Sequence, residues 1–289
     1  VDIVPWTLRL LGGERLELFL EGWSSHPYLS HVAQAFWSPA HSIAGWSFIA
    51  AYMGWRDGRL DAQSLAAVFA LGLWWSPLAA LGAAPFLALA GIESILARTR
   101  FRASLATPAL CALGALPAVI FMMADSGTVE RRWLFTETGF TARYIATVLV
   151  EWGPCAFFVW RAQGAREAGA QRRDLALAAL LLAAIPLYSV HFTNDFVMRS
   201  SIPALALLAV MATRALVVAE ESFRARWILA FLFLGAATPV IEVHRALTVA
   251  TRPLHHCNFL DAWATGFWRA LPMTGYLARE PEFARYSAV

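Results

Sequence analysis

The chain has 289 residues, 59% hydrophobic and 15% charged, with a formal net charge of +3. Soluble domains carry about 25% charged residues, so this composition excludes a water-facing globule and points to an integral membrane protein. All 23 basic residues are Arg, which reads as GC-rich codon usage; no basic stripe is interleaved with aromatics, so nucleic acid is not expected as a partner.

The chain opens Val1-Asp2-Ile3-Val4-Pro5-Trp6 without an initiator Met, and reads as an N-terminally truncated piece of a longer protein. Residues 1–38 are expected to form an outer-face segment. Eight apolar runs follow, over 39–55, 62–76, 77–96, 104–124, 142–160, 175–191, 201–219 and 227–241. Pro77 divides the long stretch 62–96 into two short helices joined by a tight turn. Arg56 and Arg59 follow the first run, and Arg98, Arg100 and Arg102 the third. Arg161, Arg166, Arg172 and Arg173 follow the fifth, and Arg224 and Arg226 the seventh. Every odd-numbered exit is thus Arg-rich, the pattern of cytoplasmic loops. The expected fold is an all-α polytopic transmembrane helical bundle of about eight spans, with both ends of the fragment outside. The transmembrane domain covers 39–241, and 242–289 forms an outer-face C-terminal segment. Trp55, Trp74, Trp75, Trp160 and Trp227 fall at run ends and read as an interfacial belt. Pro85, Pro117, Pro154, Pro186 and Pro239 fall inside runs and predict kinks or breaks.

On this topology all seven His (His26, His31, His41, His191, His244, His255 and His256) lie on or near the outer side. Pro39 opens a run and leaves His41 in its first turn, where an imidazole can bind phosphate, move a proton or hold a metal. A second candidate segment runs from His191 through Asn194 and Asp195 to Arg199. Asn194-Asp195 can cap the next helix, and Asp195 and Arg199 are spaced to pair. In a functional reading Arg199 grips a phosphate through its fork, while Asp195 orients Arg199 or His41 or serves as a base. Ser200 has no assigned role. Glu151, near the middle of its run, is a candidate intramembrane functional residue. Glu93 lies near the end of its run and reads as snorkelling. The pairs His26/His31 and His255/His256 have no metal-site spacing, and Cys111, Cys155 and Cys257 support no disulfide framework. No metal ligand is assigned, although a divalent metal is left open. No Gly-rich phosphate loop or nucleophile elbow is present.

The stretch Phe36-Trp37-Ser38-Pro39-Ala40-His41-Ser42-Ile43-Ala44-Gly45-Trp46 resembles the W-x-P-Q-H-x-x-x-G-W segment of a group of bacterial polytopic proteins. The stretch from Asn194-Asp195 through Met198-Arg199, Ser201 and Pro203 is similar to their N-D-x-x-M-R-x-S-x-P segment. Those proteins resemble C-type glycosyltransferases, which use polyprenyl-phosphate sugars at the outer membrane face. Ala40 stands where that pattern has Gln. The resemblance implies a multi-pass protein of the bacterial inner membrane with a periplasmic active face. It also implies a lipid-linked sugar donor, with His41 and Asp195 in catalytic roles and Arg199, His191 and Asn194 around the donor phosphate. Catalytic carboxylates of such enzymes lie in an outer loop after a first helix that is absent here, so the general base is unassigned. The competing readings are a transporter or flippase for a lipid-linked glycan and a non-catalytic membrane assembly subunit.

Overall fold

A computed structural model describes residues 28–97, 106–123, 131–163, 168–190, 194–218 and 223–248. The described chain is almost entirely helical. It comprises α1 (His31–Trp37), α2 (Pro39–Arg56), α3 (Ala62–Trp75), α4 (Pro77–Ala97) and α5 (Ala106–Met123). Next come strand β1 (Arg131–Trp133), α6 (Phe140–Thr147), a π turn (Val148–Trp152) and α7 (Gly153–Ala162). Helix α8 (Ala168–Ala184), strand β2 (Tyr188–Val190), α9 (Asp195–Ser200), α10 (Ile202–Val218), α11 (Phe223–Gly235) and α12 (Ala237–Thr248) complete it.

Among the described residues, three helical stretches are long and apolar enough to cross a membrane: Pro77–Ala97, Phe140–Ala162 and Phe223–Thr248. Such lengths are consistent with a membrane-embedded protein. Of the eight runs read from the sequence, others form shorter apolar helices, among them Ala62–Trp75 and Ile202–Val218. At 1.5 Å per residue the 14 residues of α3 reach about 21 Å, short of the ~30 Å hydrocarbon layer.

Caps and prolines set the boundaries. Ser30 accepts from the Ala33 amide at 3.2 Å, and Asp61 from the Ser64 amide at 2.8 Å. Ser76 separates α3 from α4, its Oγ accepting from the Ala79 amide at 3.3 Å, and Pro77 begins the new helix where a missing N–H costs nothing. The run expected over 175–191 is divided. The helix starts earlier, at Ala168, ends at Ala184, and a 3-10 turn carrying Pro186 leads into β2. The run 227–241 is likewise split at Ala236, so the boundary drawn at residue 241 falls inside α12.

Between membrane helices apolar burial gives little net drive, and close backbone packing takes over. Ala79, Ala80, Gly82, Ala83, Ala90 and Ser94 line the buried face of α4. A Cβ on Gly82 would lie 1.9 Å from the Ser200 carbonyl oxygen, and one on Gly45 would lie 2.5 Å from Ile202 Cγ2. Helix α9 therefore enters the body by backbone contact with α4, and the Ile202 side chain at the start of α10 packs on the bare Gly45 of α2. β1 and β2 pair antiparallel, Arg131 opposite Val190 and Trp133 opposite Tyr188.

The helix ends sort into two groups. At one end Arg56 (α2) meets Glu93 (α4) and Asp174 (α8), and Arg224 (α11) reaches the Arg161 carbonyl of α7. At the other end His41 (α2) meets Ser76, which precedes α4, and Ser200 (α9) meets Leu78.

Candidate functional site at the His41 end

The site is built on α9. Asn194 precedes it in the left-handed region, with φ 54° and ψ 48°, a conformation Asn tolerates better than most residues. Its side chain makes no capping hydrogen bond to the helix, unlike the expectation from sequence. Asp195 is buried in the first turn. One turn on, an Arg199 guanidinium nitrogen lies 3.2 Å from Asp195 Oδ2. Arg199 keeps 27% side-chain exposure, so its fork is held by a carboxylate yet remains open to a ligand.

The backbone after Arg199 is fixed. Ser200 donates to the Leu78 carbonyl at 2.9 Å and is buried against the Gly82 notch. Ser200 is therefore an anchor, where the sequence reading gave it no role. Across this notch His41 Nδ1 sits 2.7 Å from Ser76 Oγ. The Ser76 oxygen already accepts from Ala79, so donation of its single O–H to Nδ1 would leave the ring proton on Nε2. His41 lies within electrostatic range of both Arg199 and Asp195. An imidazole, a carboxylate and a guanidinium from α2 and α9 thus share one end of the body. Tyr188 of β2 packs edge-on against Phe196 of α9 at 5.8 Å and against Trp133 at 4.8 Å, tying the strand pair to the site helix. His191, the remaining residue proposed for the donor phosphate, lies outside the described residues, as do His26 and the His255/His256 pair.

Glu151 belongs to a different place. It sits in the π turn and lines a cavity of about 340 Å³ together with Tyr28, His31, Trp152 and Cys155. Single π turns inside helices recur at functional sites. Gly153 follows because a Cβ there would lie 2.6 Å from the Val148 carbonyl oxygen. In α1, burial holds the His31 imidazole below its ordinary pKa.

Sequence reasoning missed a buried ion cluster at the Arg-rich end. Arg56 donates through Nε to Asp174 at 2.8 Å, pairs with Glu93, and donates to Tyr52 Oη at 2.9 Å. Tyr52 in turn donates to Asp174 at 2.6 Å. Glu93 is therefore paired inside the body, with Arg173 also 3.3 Å away, rather than snorkelling alone. Trp55 leaves the interfacial belt as well. It is buried, donates to Ser94 at 3.3 Å, and carries the Arg56 guanidinium over its ring at 4.5 Å. The signal was available: an Arg, a Glu and an Asp at matching depth in three neighbouring helices.

Among the described residues no group of three or more His, Cys, Asp or Glu could hold a metal ion. Set against protein-family models, curated proteins and solved structures, the chain matches none.

Proposed function

We propose that the chain is a glycosyltransferase-like membrane enzyme of about eight crossings that takes a polyprenyl-phosphate-linked sugar at the periplasmic face of a bacterial inner membrane. The observation that carries this reading is the Asp195–Arg199 pair, anchored by Ser200 in the Gly82 notch and within electrostatic range of His41. Membrane interiors are costly places for such groups, and a guanidinium held by a buried carboxylate suits a phosphate leaving group. In this reading Arg199 grips the donor phosphate, with Asn194 and His191 beside it. His41 Nε2 donates to the departing phosphate oxygen, and Asp195 holds Arg199 or accepts the proton of the acceptor hydroxyl. The alternation of Arg at successive helix ends supports the placement of this end outside.

The test is turnover of lipid-linked sugar in membranes containing the full-length protein, normalised to folded protein. Arg199→Lys keeps the charge and loses the two-pronged geometry. It should lower turnover by about 10- to 100-fold, the weight of one charge-assisted hydrogen bond. Normal turnover in Arg199→Lys would sink the phosphate grip and leave the pair as a helix-end ion pair. A transport reading is favoured by one observation, the π turn that puts Glu151 against a cavity. It predicts lipid-linked glycan crossing sealed vesicles without transfer, with loss in Glu151→Gln and not in Arg199→Lys.

A further inference from the structure

The Arg-rich end holds a cavity of about 480 Å³ between the ends of α2, α7, α8 and α10. Helix α7, which ends at this cavity with Ala162, carries aromatic side chains just before that end. Arg172 lies 5.7 Å over the Trp160 ring, and Trp227 stacks on Phe158 at 5.7 Å; such Trp mark the headgroup layer. Val217 and Val218 line the cavity and are 77% and 78% exposed, giving its lip an apolar slope.

Its charges are arranged as a loose pair. Asp174 is already engaged by Arg56 and Tyr52. Asp57 and Arg214 stand 3.7 Å apart with side-chain exposures of 37% and 44%, a geometry in which an ion pair adds little. Beside them, both polar atoms of the Gln163 amide are enclosed without a hydrogen-bond partner. An enclosed amide lacking partners is costly unless something supplies them.

We propose that this cavity binds a phospholipid whose headgroup carries both a phosphate and a primary ammonium. Its phosphate takes Arg214, its ammonium takes Asp57, and the Gln163 amide donates to a phosphate or ester oxygen. The acyl chains leave over Val217 and Val218. A headgroup of this kind supplies both charges that the Asp57–Arg214 pair exchanges when it opens. A glycerol headgroup lacks the cation for Asp57, and a quaternary choline cannot donate a hydrogen bond to it. The proposal does not depend on the chemistry at the His41 end.

The experiment is native mass spectrometry of the full chain in detergent. Phosphatidylethanolamine, phosphatidylcholine and phosphatidylglycerol with identical acyl chains are offered at equal concentration. Wild type should retain the ethanolamine lipid about 10-fold over the other two, the weight of one charge-assisted contact. Asp57→Asn, a change at an exposed position, should lower ethanolamine retention to the choline level and leave choline unchanged. Arg214→Gln should lower all three. Equal retention of the three lipids by wild type, or a preference for the glycerol lipid, overturns the proposal. So does an ethanolamine preference that survives Asp57→Asn.

Discussion

Replacing Gly82 by alanine adds one methyl group where, among the described glycines, the backbone of a neighbouring helix comes nearest. The new Cβ would stand 1.9 Å from the Ser200 carbonyl oxygen. Carbon–oxygen contacts settle near about 3.3 Å, so Ser200 must retreat by about 1.4 Å or α4 must shift by as much. The obstacle is backbone, which cannot swing aside as a side-chain tip can. Overpacking of this kind costs about 1–3 kcal/mol, and the 2.9 Å bond from Ser200 to Leu78 is put at risk for about 1 kcal/mol more. The helix preference for Ala over Gly returns about 1 kcal/mol. The net loss is about 1–3 kcal/mol. If Arg199 grips a donor phosphate as proposed, a displacement of ~1 Å in the residue after it is also enough to lower turnover by about 100-fold. Gly91 is the internal control. It lies on the same helix with nothing within 4 Å of its added Cβ, so Gly91→Ala should hold or raise stability. The assay is thermal unfolding of the two purified variants in one detergent, followed by tryptophan fluorescence. Equal midpoints for Gly82→Ala and Gly91→Ala would refute the contact and the anchoring of α9 that depends on it.

Three further outcomes follow from the same geometry. Arg56→Gln leaves Asp174 and Glu93 without their shared cation and should cost about 3–5 kcal/mol, the usual consequence of removing one partner of a buried pair; a variant unfolding at the wild-type temperature would show the cluster to be idle. Ser200→Ala should lower the unfolding midpoint by the equivalent of about 1 kcal/mol with turnover per folded molecule near wild type, whereas a large turnover loss at full stability would give Ser200 a chemical role. In a Cys-free background, cysteines at the exposed positions of Arg59 and Thr138 should label with impermeant reagent from opposite faces of the membrane, and same-face labelling would break the topology.

Much of the fold is legible where one residue decides it locally. Pro39 and Pro77 open helices where the sequence starts its runs, and Pro186 breaks the run it falls in, whereas the Ser30 and Asp61 caps go unread. What the sequence hides is the rotation of each helix about its own axis. An apolar run tells how deep a residue sits but not which neighbour it faces, so Trp55 and Glu93 were read as belt and snorkel. Both turn inward, because Arg56 and Ser94 wait there. The strand at 188–190 was concealed for a related reason: Tyr188-Ser189-Val190 continues an apolar run, and only its partner Arg131–Trp133 makes it a strand. At the site, Arg alternation brought His41, Asp195 and Arg199 to one end. Ser76 and Ser200 were missed, since a serine at a helix border looks the same whether it caps, anchors or orients an imidazole.

The pairing of β1 with β2 sets a parity on the intervening chain. Two strands can share a ladder only if the polypeptide between them leaves that end of the body and returns, out along Phe140–Ala162 and back along Ala168–Ala184. A ladder of three residues is too short to stand alone, so it closes only after both legs are in place. It then behaves as a checksum on the packing of both legs. A chain in which one leg fails to pack leaves an open edge at β1, exposed to other chains. Substitutions at Trp133 or Tyr188 should therefore register in the yield of correctly folded protein more than in the melting of molecules that have already passed.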